Sequence, residues 1–571
     1  MDTPRTASWV PAGGLLLAAL YLPTLGTPFD FVDDGNLVYP TPGLSAGGHV
    51  GLWWEKVEAN YEHLGPFRPT LWVHWQVQAN LFDGSAAAWR VYRFLWCALS
   101  AAALLWLFAE LGAHPAAALL AGALAMWNPY RNEIWTSLTL SEGVAMPYAL
   151  FALVAARKAA SSATPLRWEV LSALAVLVAL GCKNTFAALV PVQILLRTWP
   201  DGVGLREAVR RNGGRALLLG ATLALPAAHF VYFKAHWHPG QYETHGPTAA
   251  QLGRMLSALK GAVSLEFMAA GLALAAIAVW RGRSPEPPNP PGPPSLRGKG
   301  GDEPHALPDA RSASAGSQEA AEFEHPSPFG GGAGGGVDHV RPPATSGVTP
   351  AVAAALLLVA AGVVVYLPLS MMSGRYAMPA VWGLDVLVAL LLTALVAVPL
   401  SAWKKAAFAG VCAGLAVVAV AGVGKQEKFA ARAHVLWDAV RHVEATAPAG
   451  ARVAWLSGDS TAGGLNVEEG IHFRWHLLHR GRGDVSVGLF DEAGAPLSRV
   501  ELPPLDGPPE YALFGKSEPA GWESERTFAA GYWLGRKRYD CGLARKREPG
   551  AFAGAAFRDE VRRQLFPELV P

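Results

Sequence analysis

The chain is poor in charge. Only 16% of its 571 residues are Asp, Glu, Lys or Arg, against about 25% in a typical soluble domain. The 47 Lys and Arg nearly cancel the 45 Asp and Glu, leaving a formal net charge of +2. A balance so close to zero argues against nucleic acid as a partner, because phosphate backbones are held by a cationic surplus. It argues equally against a disordered acidic scaffold. Cysteine is also scarce. Cys97, Cys182, Cys412 and Cys541 form no CxxC pair and no Cys/His zinc spacing, so neither a disulfide framework nor a zinc ribbon is indicated. Three of them lie inside apolar runs and read as small packing residues. A dinucleotide fingerprint is missing too, since Gly458 to Gly464 lacks the GxGxxG spacing.

What the chain has instead is apolar sequence in long blocks. Hydrophobic residues make up 51% of it, with 21 Trp. A helix needs about 20 apolar residues to cross a bilayer. Eleven candidate spans follow: 9–26, 89–111, 115–129, 141–156, 168–182, 184–197, 216–233, 260–280, 349–368, 380–400 and 406–423. The first reads as a retained span rather than a cleaved signal peptide. Its only basic leader residue is Arg5, Pro11 and Pro23 interrupt it, and no small-x-small cleavage site precedes Phe29.

Arginine-dense gaps occur at every second position along this series. They hold Arg157, Lys158 and Arg167, then Arg197, Arg206, Arg210, Arg211 and Arg215, then Arg281 and Arg283, and finally Lys404 and Lys405. The positive-inside rule makes those gaps and the N-terminus cytoplasmic. The expected outside segments are 27–88, 128–140, a turn near Lys183, 234–259, 369–379 and everything from Gly424 onward. In a bacterial cell this is the inner (plasma) membrane, with a periplasmic C-terminal domain.

Residues 284–348 differ in kind. Stretch 284–347 holds 13 Pro and 12 Gly, or 25 of 64 residues, above the roughly 25–30% that marks low complexity. It reads as a disordered cytoplasmic insertion. The expected organisation is therefore a transmembrane module over 1–283, the insertion over 284–348, further spans over 349–423 and a small α/β domain over 424–571. In that last domain, Arg452–Leu456 and Tyr511–Phe514 read as strands and Val467–His479 as a helix, with a strand-like alternation at Val485, Val487 and Leu489, in a βαβ-like order. The predicted fold class is an all-α polytopic bundle of about eleven transmembrane helices carrying a small C-terminal α/β extracytoplasmic domain.

Chemistry concentrates after the first span, at Phe29-Asp30-Phe31-Val32-Asp33-Asp34-Gly35-Asn36. Three carboxylates within five residues cannot all ionise cheaply, so one is pushed towards the neutral form, as suits a general base. A solvated acidic loop is the alternative. Next, Val50–Leu64 sets Trp53, Trp54, Val57, Tyr61 and Leu64 against Glu55, Lys56, Glu58 and Glu62, the pattern of an interfacial amphipathic helix. Arg68 follows in Phe67-Arg68-Pro69-Thr70. Further outer-end groups are Trp127-Asn128-Pro129-Tyr130-Arg131-Asn132-Glu133, Lys183-Asn184 and Gly374-Arg375-Tyr376. Each cation alone reads as a helix-end anchor. Together Arg68, Arg131, Lys183 and Arg375 suggest a site for an anionic lipid. His236, His238 and His245 could gather around a metal or gate a substrate, or simply belong to a polar loop. Asp385 and Glu266 lie in or near spans, where carboxylates are functional candidates or structural partners.

This order of elements resembles the GT-C superfamily of membrane glycosyltransferases. It is most similar to the branch of dolichyl-phosphate-mannose-dependent O-mannosyltransferases and their bacterial relatives. The acidic pair matches Asp33-Asp34 followed by Asn36, and the Tyr/Phe-Arg-Pro element matches Phe67-Arg68-Pro69. The His-Pro…Glu element corresponds to Asn128-Pro129…Glu133, with Asn in place of His. A Ser-Lys-Glu-like turn corresponds to Cys182-Lys183-Asn184, with Asn in place of Glu. An Arg-Tyr-Leu-Pro element corresponds to Arg375-Tyr376-Ala377-Met378-Pro379. The similarity covers about residues 5–425 without the insertion, and the tail is a different domain.

The resemblance implies a polyprenyl-phosphate-linked sugar as donor and a protein, lipid or glycan hydroxyl as acceptor. Asp33 would be the base, with Asp34 second. Arg68, Arg131, Lys183, Arg375 and Tyr376 would hold the lipid phosphate, and Asn36, Asn128 and Glu133 would contact substrate. It demands no cofactor, although some relatives use a divalent cation. A transporter or flippase of lipid-linked sugars is the competing reading, with a polymerase, ligase-type enzyme or inactive scaffold behind it.

Overall fold

A computed structural model describes residues 8–31, 34, 50–58, 67–82, 84–129, 131–224, 227–228, 250, 253, 257, 260, 349–366, 378–396, 402–458, 465–497, 502, 504–515, 519, 522–532 and 537–546. The insertion 284–348 and the expected span 260–280, apart from residue 260, lie outside them, as do residues 225–226 and 229–233 of the expected span 216–233.

The helices are α1 (Trp9–Ala18), α2 (Pro69–Phe82), α3 (Ala86–Glu110), α4 (Pro115–Trp127), the short α5 (Glu133–Thr136), α6 (Ser141–Ser161), α7 (Pro165–Cys182), α8 (Leu189–Thr198), α9 (Leu205–Asn212), α10 (Leu217–Ala221), α11 (Pro350–Tyr366), α12 (Met378–Val396), α13 (Ala402–Thr446) and α14 (Val467–His479). Pro11 is tolerated in the first turn of α1, whereas Pro23 falls in a 3-10 segment, Ala19–Gly26, that continues it.

Among the described residues, five helical stretches are long and apolar enough to cross a bilayer: Trp9–Gly26, α3, α6, α7 and α12. The protein is thus a membrane protein. These five correspond to expected spans 9–26, 89–111, 141–156, 168–182 and 380–400. Span 115–129 is a helix of only 13 residues. Span 184–197 divides into a 3-10 turn, Asn184–Ala188, and α8.

Small residues allow close packing, as they do in membrane interiors generally. A Cβ on Gly362 of α11 would collide with Ala380 of α12, and one on Gly383 of α12 with Ala355 and Val359 of α11. Buried ion pairs cross-link the bundle. Arg131 meets Asp385 of α12 at 2.9 Å, Lys183 meets Glu142 of α6, and Arg197 of α8 meets Glu169 of α7.

The two ends of the bundle carry different groups. At one end the start of α3, the start of α6 and the end of α7 lie together, with Arg93 against Gly143 and Lys183 on Glu142. At the other, Lys158 meets Glu110 at 2.7 Å, and Arg157 reaches the Glu110 carbonyl and Asp201.

The expected boundary at residue 424 is not a break. Helix α13 runs 45 residues through it, from Ala402 to Thr446, because nothing between those residues is proline. Its last turns pack on a five-stranded sheet of β1 (Arg452–Ser457), β2 (Ser486–Asp491), β3 (Tyr511–Phe514), β4 (Trp522–Tyr532) and β5 (Lys537–Lys546), in the order β2-β1-β3-β5-β4. The pairs β1–β2 and β1–β3 are parallel, and β5 is antiparallel to both β3 and β4. Helix α14 links β1 to β2, so the βαβ expectation holds. Asn466 caps it, accepting from the Glu469 amide while Glu469 accepts from the Asn466 amide. Strand β2 is buried along four consecutive residues rather than alternating, because it lies beneath α14 and beside the central β1. Strands β4 and β5 add an antiparallel ribbon that the sequence reading did not include.

The α11–α12 crossing has a direct test. Gly383→Leu should destabilise the protein by about 1–3 kcal/mol through overpacking, read as a lower Tm in detergent, while Gly410→Leu, where a Cβ meets nothing within 4 Å, should leave Tm unchanged. Equal Tm for wild type and Gly383→Leu would refute this crossing.

Candidate functional site

Two arginines of α3 organise the end of the bundle at which the acidic turn lies. Arg90 and Arg93 stand one helical turn apart and are 1% and 4% exposed. A guanidinium out of water needs acceptors for its five N–H groups, and helical carbonyls are already engaged by their own ladder. Both side chains therefore reach irregular backbone. Arg90 donates from Nε to the Thr27 carbonyl at 3.2 Å, from Nη2 to that of Pro28 at 2.8 Å, and from Nη1 to that of Thr136. Arg93 donates from Nη2 to the carbonyls of Ser137 at 2.8 Å, Leu138 at 2.9 Å and Leu140 at 3.3 Å. Thr27, Pro28 and the segment 136–140 are thus tied to one face of α3.

Asp34 completes the knot. It is fully buried. Its Oδ2 accepts from the Asp30 amide at 2.9 Å and lies 3.4 Å from Arg90 Nη2, and its Oδ1 accepts from the Leu138 amide at 3.0 Å. Burial raises its carboxyl from the ordinary 3.8 to about 7. Arg90 opposes the rise, Asp30 adds to it, and the two backbone amides also oppose it. With both oxygens engaged and no exposed surface, Asp34 fixes the turn rather than touching a substrate.

The C-terminal domain closes the other side of this turn. Trp437 of α13 donates from Nε1 to the Phe29 carbonyl at 3.0 Å. Phe31 belongs to the domain's own hydrophobic core, with Val435, Leu436 and Phe473. Arg90 lies 5.3 Å from the centre of the Phe429 ring, a cation–π distance.

The sequence-identified residues fall into three groups. Asp34, Lys183 and Arg68 are brought to the same end of the bundle. Lys183 is buried and paired with Glu142, beside which Gly143 lies against the Arg93 guanidinium. Arg68 precedes α2, whose Thr70 abuts Gly181 of α7, and its Nε is buried without a hydrogen bond. Arg131 turns instead into α12 and Asp385. Next to it, Asn132 accepts from the Tyr21 hydroxyl at 2.8 Å and donates to the Gly422 carbonyl at 3.1 Å. Asn128 is buried at the end of α4, and Glu133 is exposed on the first turn of α5. Asp33, Asn36, Arg375 and Tyr376 lie outside the described residues, as do His236, His238, His245 and Glu266. Among the described residues no group of three or more His, Cys, Asp or Glu side chains is disposed to hold a metal ion.

Arg90 and Arg93 escaped the sequence reading. The signal was there: two arginines at i and i+3 in an otherwise apolar run must find partners inside the protein.

Comparison with protein-family models, with curated proteins and with solved structures finds no match for this chain.

Two variants probe the knot. Arg90→Met strands the Asp34 carboxylate and three carbonyls, and should cost about 3–5 kcal/mol in detergent unfolding. The folded state of the wild type holds the Asp34 proton up to about pH 7, while the unfolded chain releases it near 3.8. Stability from this group is therefore full below the lower value and falls as pH rises towards 7. Asp34→Asn should lose that component of the Tm slope between pH 4 and 7. An identical slope in both proteins would assign the titration elsewhere.

Proposed function

We propose that this protein is an integral membrane glycosyltransferase. It moves a sugar from a polyprenyl-phosphate-linked donor to an acceptor hydroxyl on the extracytoplasmic side of a bacterial plasma membrane. Its N-terminus is cytoplasmic, and its C-terminal domain stands outside, on the side of the acidic turn. The acceptor is a protein, a lipid or a glycan. The observation that carries this reading is the acidic turn clamped to α3 at the same end of the bundle as Lys183 and Arg68.

The chemistry is a single inverting displacement. Asp33 takes the proton of the acceptor hydroxyl as its oxygen bonds the anomeric carbon. The bond from that carbon to the phosphate oxygen breaks, and the lipid phosphate leaves with the electron pair. Asp34, its oxygens engaged by the Asp30 and Leu138 amides and by Arg90, positions the base without acting as one. Arg68 supplies positive charge at the leaving phosphate, where stabilisation of developing charge contributes most. Lys183 shares its charge with Glu142, so it shapes the local field more than it adds a free cation. Arg375 and Tyr376 complete the phosphate contacts, and Asn36 and Glu133 the substrate contacts. A divalent cation remains compatible with this scheme.

The test is transfer in proteoliposomes supplied with a labelled polyprenyl-phosphate sugar and membrane extract as acceptor. Asp33→Asn should lower transfer by at least about 10²-fold, the usual contribution of a general base, with donor binding retained. Full activity in Asp33→Asn removes the proposed role. Movement of the intact donor between leaflets without a new glycosidic bond would favour a flippase.

A further inference from the structure

The C-terminal domain contributes more to the acidic turn than proximity. Two aromatic rings from two elements of that domain, Trp437 of α13 and His476 of α14, pack against Phe29 and Phe31. Phe31 lies 4.7 Å from His476 and 5.9 Å from Trp437, measured between ring centres, and Phe29 lies 6.2 Å and 6.5 Å from the same two rings. Trp437 and His476 are themselves 4.7 Å apart. The Trp437 indole also holds the Phe29 carbonyl. The turn is therefore gripped on one side by Arg90 of α3 and on the other by α13 and α14.

His476 is a peculiar member of this cluster. It is fully buried, and neither ring nitrogen has a partner in ordinary hydrogen-bond geometry, the Asp30 backbone being the polar group beside it. Burial is the main reason its ring is held down to about 3; His472, His479 and Arg480 act in the same direction, and the nearby Asp30 backbone opposes them. The ring is neutral at any physiological pH, so it acts as an aromatic plate rather than as a charge or a proton carrier.

We propose that Trp437 and His476 are positioning residues of the transfer site: the soluble domain is the second jaw that holds the acidic turn in its reactive geometry. This rests on the transferase reading for its catalytic meaning, but not for its geometry. A rigid second jaw matters because a displacement of about 1 Å at a reacting group can cost 10²-fold in rate. It also gives the fused domain a part in the chemistry at the membrane surface. The aromatic contacts need shape and not polarity, so phenylalanine can replace His476, and alanine cannot.

The experiment uses the full chain in lipid nanodiscs, with Trp437→Ala, His476→Ala and His476→Phe. Hydrogen exchange is followed in peptides covering residues 27–36 and, as a control, in those of α6. Both alanine variants should exchange about tenfold faster in the 27–36 peptide, reflecting easier local opening, with α6 unchanged. His476→Phe should restore slow exchange. In the transfer assay the alanine variants should lose kcat by about tenfold, with donor KM within about twofold, as expected for misplaced rather than missing groups. Unchanged exchange at 27–36 in both alanine variants overturns the proposal, as does faster exchange spread equally over α6, or a His476→Phe protein that behaves like His476→Ala. Absence of transfer by the wild type would overturn the transferase reading alone, because the exchange result stands without it.

Discussion

The architecture depends on the burial of two guanidinium groups, those of Arg90 and Arg93. Neither can be deprotonated at ordinary pH, so each must be surrounded by acceptors. Helical backbone offers none to spare, because its carbonyls are committed to the ladder. The acceptors must come from chain that is irregular and close to α3, and this is what Thr27, Pro28 and segment 136–140 provide. A turn that would otherwise wander in solvent is thereby pinned to a transmembrane helix. Asp34 supplies a formal countercharge to Arg90 at 3.4 Å, and the charge of Asp30 acts in the same sense. The carbonyls of Thr27, Pro28 and Thr136 accept from the same guanidinium, and several directed hydrogen bonds set position and orientation more strictly than one ion pair does.

Helix α13 carries that constraint beyond the bundle. It passes from an apolar half into a polar half without interruption, touches the bundle at Asn132 through the Gly422 carbonyl, and reaches the acidic turn through Trp437. A continuous helix transmits rotation and tilt in a way a linker does not. A hinge at residue 424 would have left the domain free to detach from the turn. As built, the domain's own core includes Phe31, so the turn cannot move without disturbing that core.

Much of this was legible in the sequence, and the reasons for the rest are specific. Five spans, the helix Val467–His479 and the strands at 452 and 511 announce themselves by hydropathy and periodicity, which are local properties. The continuity of α13 was not read because Gly422 and Gly424 look like the end of a span. In the structure Gly422 is small for another reason: a Cβ there would press on the Trp127 carbonyl at 3.0 Å. Strand β4 was missed because its pattern is dictated by neighbours. It is an edge strand with Glu523, Ser524, Glu525, Arg526 and Thr527 exposed in succession, so it shows no alternation to read. At the site, the acidic turn was visible as a charge cluster. Its partners at 90 and 93 were hidden inside an apolar run, more than fifty residues away, where only the fold brings them near.

The cations singled out in sequence illustrate a general difference between charge counted along a chain and charge available to a ligand. Arg131 and Lys183 are both buried, and each faces a carboxylate from another helix, Asp385 and Glu142. Removing one partner of such a pair leaves an uncompensated charge in a poor solvent, so their first duty is to the bundle. Arg68 stands apart in having a buried Nε with no hydrogen bond. The same reasoning separates the neighbouring carboxylates. Asp34 has both oxygens engaged and no exposed surface, so a substrate cannot reach it without dismantling the turn that presents it. Under the proposed transferase reading the two adjacent acids therefore do not share one role: Asp34 fixes the backbone, and the part of base falls to Asp33.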